Sequence, residues 1–379
     1  MEFVLPAINK FGKDSYQEIS NTLLKENKKK GLIITTKDIF ELGLLKEIFN
    51  VLDDNQIQYE IYTGVVPNPT IENVEDASKL FLDNKCDFIM GVGGGSANDC
   101  AKAVGILVSN GGNIKEYVGF NKSRHKSPFL ICVNTTAGTA SEISRAFLIN
   151  DEENKEKLIF RDINALPDLS INNPEIMFGL PKKITAQTGM DALTHAIESY
   201  ISTGAYTLTK EFSLSAIKLI FNSLEKVFDE PKNENLRNEM IYAQFLAGMA
   251  FCNAGLGLVH AMSHQLSALY NLPHGLSNAI LLPEVMRLNK KTSTKGFAEI
   301  YQNIFLDSFE DDEKSADLLI ERVENLSDKV GTKVKLSYLG VLEEDIDKLV
   351  EMTFKDGNLP RNPYQPTSED VKNIFKKVI

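Results

Sequence analysis

Strand-forming and helix-forming segments alternate over the first 180 residues, and helix-forming segments alone follow to residue 379. This order predicts an α/β domain with a parallel sheet, then an all-α domain. Four apolar runs, GLIITT (31–36), YEIYTG (59–64), DFIMGV (87–92) and FLICVN (129–134), are continuous enough for strands buried on both faces. Between them lie stretches of helical periodicity at 39–53, 72–83 and 97–109, and a hairpin is expected within 147–160. The later helical segments read as 184–202, 207–229, 233–252 and 256–270, and Pro181 suits a helix start. The expected boundaries are 1–180 for the α/β domain and 181–379 for the helical domain, with a cleft between them of the kind that takes small ligands.

Composition narrows the function classes. With 43% hydrophobic and 25% charged residues the chain can build real cores, and a net charge of −11 disfavours nucleic acid as a partner. The basic run Lys28-Lys29-Lys30 reads as a solvated helix end. Cys86, Cys100, Cys132 and Cys252 show no CxxC spacing, so disulfides are not expected and a reducing, cytoplasmic location is. The start, MEFVLPAINKFG, lacks a signal-peptide pattern, and no apolar run approaches the roughly 20 residues that span a bilayer.

Directly after the third apolar run comes GVGGGSANDCAKA (91–103). Gly93, Gly94 and Gly95 allow the backbone to approach a ligand without Cβ clashes, and Ser96 is expected to cap a helix whose N-terminus suits a phosphate. The loop is neither a GxGxxG fingerprint nor a P-loop. NTTAGTASE (134–142) follows the next strand, offering Thr135, Thr136 and Thr139. Those hydroxyls can bond a ribose or phosphate, or equally make local turns. Two such loops on one sheet edge make a dinucleotide the leading ligand.

Four of the five histidines fall in the second half. In GMDALTHAIESY (189–200), Asp191 and His195 stand four apart and share a helix face; His260 and His264 do the same in GLGLVHAMSHQL. His274 sits in a turn, NLPHG, that opens the next helix, and His125 reads as an exposed loop residue. An aspartate among several imidazoles suits Fe2+ or Zn2+ better than Mg2+ or Ca2+. Spacing alone does not choose which three histidines would bind.

Together these stretches, with GVVPNPT (64–70), LVHAMSHQLSALYNLPHGLSNAILLP and KDGN (355–358), resemble the iron-dependent alcohol dehydrogenase family, in its 1,3-propanediol dehydrogenase and lactaldehyde reductase branch. The resemblance spans the whole chain. It implies an NAD- or NADP-dependent oxidoreductase acting on a small primary alcohol or aldehyde, with Fe2+ as the metal and Zn2+ or Mn2+ as alternatives. It implies Asp191, His195, His260 and His274 as metal ligands, and His264 as a residue beside the nicotinamide that relays a proton. Gly94, Gly95, Ser96 and Asp99 match the pyrophosphate loop, and Thr135, Thr136 and Thr139 match nucleotide contacts. Lys157 matches a ribose-binding lysine, while Asn68 and Phe251 match residues lining the cofactor and substrate pocket. A homodimer or higher homo-oligomer is implied, with the EFVLP segment pairing between subunits.

One departure bears on the cofactor. NAD-preferring members carry an acid after the first of these strands, where this chain has Thr35-Thr36-Lys37. A carboxylate there would repel a 2′-phosphate. Thr36 removes that repulsion and Lys37 can attract the phosphate, so NADPH is expected to be accepted. Alternative readings on the same scaffold are a zinc-dependent polyol dehydrogenase, a dehydroquinate-synthase-like lyase, and a non-catalytic metal or nucleotide binder.

Overall fold

The computed structural model describes residues 3–305 and 311–379. Glu2, which opens the EFVLP segment, lies outside them. The chain divides into two compact units: Val4–Gly179, and Leu180–Ile379 joined by Phe3, whose ring packs 5.8 Å from that of Phe212.

The first unit is α/β. Its elements are β1 (Ile8–Phe11), α1 (Gln17–Lys25), β2 (Lys30–Thr36), α2 (Lys37–Glu41), α3 (Lys46–Asp54), β3 (Gln58–Val65), α4 (Ile71–Asp83), β4 (Phe88–Gly93), α5 (Gly95–Asn110), β5 (Gly119–Phe120), β6 (Phe129–Asn134), β7 (Ala146–Asp151), β8 (Glu156–Arg161) and β9 (Leu169–Asn172). Six strands form one sheet in the order β1-β9-β6-β4-β2-β3, every pair parallel. The central strands β4 and β6 are buried almost throughout, as their unbroken apolar runs require. The four strands expected from the sequence are β2, β3, β4 and β6, and the expected hairpin is β7–β8, which with β5 makes a separate three-stranded sheet. Three short strands escape the pattern: β1 reads INKF, too brief to show alternation, β5 has only two residues and β9 only four.

The topology puts the two candidate loops and Thr36 together. From β2 the chain moves outward to β3, whereas from β4 it moves the other way to β6, so the winding reverses between β2 and β4. Parallel sheets bind ligands at the carboxyl ends of strands beside such a reversal. Thr36, the glycine loop and the threonine loop leave β2, β4 and β6 at that edge.

Two expectations need correction. The helix expected over 39–53 is broken into α2 and α3, because Gly43 takes a left-handed φ of 69° that ends the first of them. Nor does Ser96 cap α5. The N-cap is Gly94, the helix begins at Gly95, and Ser96 already lies in its first turn.

A buried polar network ties α5 to the hairpin. Lys102, fully buried, donates from Nζ to Ser141 Oγ and to the Ala146 carbonyl, each at 2.8 Å. Asp99 accepts from Ser141 Oγ at 2.5 Å and from the Leu148 amide at 2.9 Å. Burial pushes the Asp99 carboxyl up from its ordinary range, while Lys102, Ser141 and the Leu148 amide pull it back.

The second unit is helical: α6 (Lys182–Ile201), α7 (Thr207–Asp229), α8 (Glu234–Ala254), α9 (Leu258–Tyr270), α10 (His274–Phe305), α11 (Asp312–Lys329), α12 (Ile346–Lys355) and α13 (Ser368–Val378). All twelve residues of GMDALTHAIESY are buried, so α6 is the central helix, packed against α7, α8 and α10. Among the described residues no single helix is long and apolar enough to cross a membrane, and α8 with α9 reach that length only across a 102° bend.

The Lys102 network sets a stability prediction. Asp99→Ala leaves a buried ammonium without its carboxylate, which costs about 3–5 kcal/mol. Urea unfolding followed by circular dichroism is expected to show the lower midpoint, with Asp99→Asn affected less.

Candidate metal centre and nucleotide loops

Three helices converge on one point in the helical unit. Asp191 and His195 stand one turn apart on the same face of α6. His260 lies in the first turn of α9, and His274 is the first residue of α10. Asn271 ends α9 in the left-handed conformation at φ 51°, and Pro273 then leads directly into His274.

One ligating atom from each of these four side chains lies within 4.8 Å of all the others. Asp191 Oδ1 is 3.9 Å from His195 Nε2 and 3.6 Å from His274 Nε2. The His195 and His260 rings stack at 4.6 Å, and Phe251 stacks on the other side of His195 at 4.4 Å. Asp191, His195 and His260 are almost wholly buried, whereas the His274 side chain is 24% exposed and marks the open side.

Hydrogen bonds around the cage turn its lone pairs inward. His260 Nδ1 bonds Glu198 Oε2 at 2.6 Å, which leaves Nε2 as the free lone pair. Asn278 Nδ2 donates to Asp191 Oδ1 at 2.7 Å and lies 3.2 Å from both His260 Nε2 and His274 Nε2. The set is one carboxylate and three imidazoles, enclosed on most sides. It fits a divalent transition ion that keeps a position for a further ligand. His264 is adjacent but turned differently: its ring stacks on His274 at 5.4 Å, and its Nδ1 bonds Asp356 Oδ2 at 2.8 Å.

In the α/β unit, the glycine loop owes its glycines to close approach. A Cβ on Gly94 would sit 3.0 Å from Thr136 Oγ1, and one on Gly95 would sit 3.1 Å from Thr139 Cγ2. The glycine loop and the threonine loop are thus in contact. No side chain caps the start of α5, and Thr136 Oγ1 is a buried oxygen with no hydrogen-bond partner. Bare helix amides beside an unsatisfied hydroxyl fit a pyrophosphate. Thr135 is tied to Gly93 through its amide, and Thr139 Oγ1 accepts from the Ser141 amide. Lys157 Nζ donates to Asn68 Oδ1 at 3.0 Å, which joins two expected cofactor residues across 89 positions of sequence. Thr36 Oγ1 caps α2, and Lys37 is exposed beside Glu41 at 3.6 Å.

Comparison with known proteins fits this architecture. Residues 6–174 match the family described as "Iron-containing alcohol dehydrogenase", and residues 185–379 match the "Fe-containing alcohol dehydrogenase family, C-terminal". The chain belongs to the iron-containing alcohol dehydrogenase family. It is 41% identical over 377 residues to alcohol dehydrogenase 4 of Schizosaccharomyces pombe, covering 100% of this chain and 89% of that protein. It is 38% identical over 382 residues to 1,3-propanediol dehydrogenase of Klebsiella pneumoniae, covering 99% and 98%. A crystal structure of 1,3-propanediol oxidoreductase superposes with a TM-score of 0.96 at 38% identity, covering 100% of this chain and 99% of that one. The chain is therefore an alcohol dehydrogenase of the iron type, acting on a small alcohol or aldehyde, and the lyase and non-catalytic alternatives fall away.

In this alcohol dehydrogenase Asp99 lies in α5, the helix that the glycine loop opens. Both of its oxygens are engaged by Ser141 and Leu148, so it holds the loops in position. Sequence reasoning also passed over Glu198, Asn278 and Asp356. Glu198 carried a readable signal, seven residues after Asp191 and so on the same face of α6. Asn278 likewise follows His274 by four. Asp356 lies in KDGN, 92 residues from His264, and no local pattern links the two.

Gly275 permits the convergence, because a Cβ there would lie 2.3 Å from the Gln187 carbonyl and 3.3 Å from Asp191 Cβ. Gly275→Ala is expected to push the start of α10 away from α6 and lower the bound metal of the purified protein, measured by elemental analysis.

Proposed function

We propose that the four-residue cage of Asp191, His195, His260 and His274 holds Fe2+ and that this is the reaction centre, with Zn2+ or Mn2+ as substitutes. The observation that carries this reading is the approach of the four ligating atoms to within 4.8 Å of one another. When bound, the ion supplies Lewis acidity that polarises the carbonyl, and the nicotinamide supplies the hydride.

The protein's own residues do the rest. Asp191 contributes the negative charge that matches a divalent cation, and the three imidazoles contribute neutral nitrogen donors. Phe251, stacked on His195, presents an apolar wall that excludes water from that side. His264, with Nδ1 held by Asp356, keeps Nε2 as the atom that exchanges the proton of the alcohol. In the α/β unit, the first amides of α5 at Gly95 and Ser96 and the Thr136 hydroxyl bind the pyrophosphate, with Thr135 and Thr139 shaping the same loop. Lys157 and Asn68 act as a joined pair on the ribose.

The cofactor is NAD(H) or NADP(H), and the residues after β2 favour acceptance of the phosphorylated form. Thr36 brings no negative charge, and Lys37 is exposed and free to reorient from its weak pairing with Glu41. The substrate is of the butanol, 1,3-propanediol or lactaldehyde type. A reducing cytoplasm suits four cysteines that form no disulfide among the described residues. Assembly into a homodimer or larger homo-oligomer suits β1, which lies at a sheet edge with one side free of strand partners among the described residues.

Two measurements test this. His260→Ala should lose bound metal and more than about 100-fold of kcat/KM, beyond the range for outer-shell changes, while keeping its circular dichroism. Full activity without metal would refute the role of the cage. Separately, kcat/KM for NADPH is expected to equal or exceed that for NADH with butanal, 3-hydroxypropanal or lactaldehyde; near-absence of NADPH turnover would reverse the reading of Thr36 and Lys37.

A further inference from the structure

Glu198 lies in the central helix α6, is almost wholly buried, and spends its two carboxylate oxygens on the first turn of α9. Oε1 accepts from the Val259 amide at 2.7 Å, and Oε2 bonds His260 Nδ1 at 2.6 Å. Helix α9 has no cap of its own, because its N-cap is Gly257. Its first amides are satisfied from outside, Leu258 N–H by Asn362 Oδ1 at 3.1 Å and Val259 N–H by Glu198. Gly257 makes room for this. A Cβ there would come within 2.6 Å of Asn362 Oδ1 and 3.1 Å of Glu198 Oε1.

The consequence concerns a proton. A neutral imidazole carries one N–H, and only the bare nitrogen can ligate a metal. A carboxylate oxygen accepts and does not donate, so Glu198 Oε2 holds the His260 proton on Nδ1. Nε2 is then left with its lone pair toward Asp191, His274 and Asn278. Oε1 is pinned at the same time by a backbone amide, so the carboxylate cannot turn away. We propose that Glu198 is a positioning residue that fixes the metal-ligating tautomer of His260 and registers the start of α9 on α6. This rests on the reading that the cage binds a divalent metal.

Glu198→Gln separates that role from simple packing, being nearly isosteric. The Val259 amide still requires an oxygen, so the glutamine must turn its NH2 group toward His260 Nδ1. That nitrogen must then accept, and the proton moves to Nε2, where it blocks ligation. With cobalt(II) as the probe, E198Q is expected to raise the dissociation constant roughly 10–100-fold over the parent, the range for outer-shell metal partners. Long-range 15N–1H spectra of histidine-labelled, EDTA-treated protein should show one imidazole changing from the Nδ1–H to the Nε2–H form. Circular dichroism should be unchanged. A purely structural role would leave the tautomer where it was.

The outcomes separate. Parent protein that takes up no cobalt overturns the metal reading and this inference with it. Parent that binds cobalt while E198Q binds it equally well, or keeps all its imidazole tautomers, overturns this inference alone. Should E198Q not fold, the parent decides by the same spectra, with His260→Gln identifying the His260 signal: the EDTA-treated parent is expected to hold the His260 proton on Nδ1, facing Glu198, and a parent that holds it on Nε2 overturns the inference.

Discussion

Four lone-pair donors from three helices crowd within 4.8 Å of one another inside the helical unit. Buried polar atoms of this kind are costly unless each has a partner, and a carboxylate costs most. Much of the surrounding structure can be understood as meeting that constraint. Asn278 spreads one amide over Asp191 and two imidazoles, Glu198 fixes His260, and Asp356 fixes His264. Glycines at 257 and 275 let neighbouring helices come near enough for these bonds to form. A cation at the centre relieves what remains, so the same arrangement that would destabilise an ordinary core is suited to holding a metal.

The α/β unit meets a different constraint by similar means. A loop that takes an anion must leave its amides bare, and a loop of bare amides needs rigid support from behind. The Asp99, Lys102 and Ser141 network supplies it, joining α5 to the threonine loop and to β7. Ala140, in the left-handed conformation at φ 49°, sits between that network and the threonines. Strain of this sort at a non-glycine residue persists where its surroundings hold it firmly, and it is common beside ligand loops.

How much was legible beforehand depended on range. The strands β2, β4 and β6 announce themselves as apolar runs, because a strand buried on both faces has nothing polar to show. Asp191 with His195, and the turn before His274, are also local, since a helix repeats its face every three or four residues. Local signals also mislead: Gly43 stops a helix that the periodicity carries through, and the cap expected at Ser96 falls at Gly94. Asp191 and His195 in GMDALTHAIESY have a third companion in Glu198, readable by the same periodicity but pointed at a residue 62 positions away.

By itself the sequence determined the helix and strand periods, the glycines where backbone must come close, and a stock of one aspartate and four clustered histidines with the chemistry of a transition-metal site. Its motifs in combination also carried the family. Only the tertiary structure decided which atoms face one another. It gave both oxygens of Asp99 to the interior, set His264 against Asp356 outside the four-residue cage, and turned the lone pair of His260 inward. The physical reason is that hydrogen bonds and ligation act over about 3 Å in space. Sequence spacing reports such proximity only within a helix or a turn, and the decisive contacts here join residues 42 to 92 positions apart.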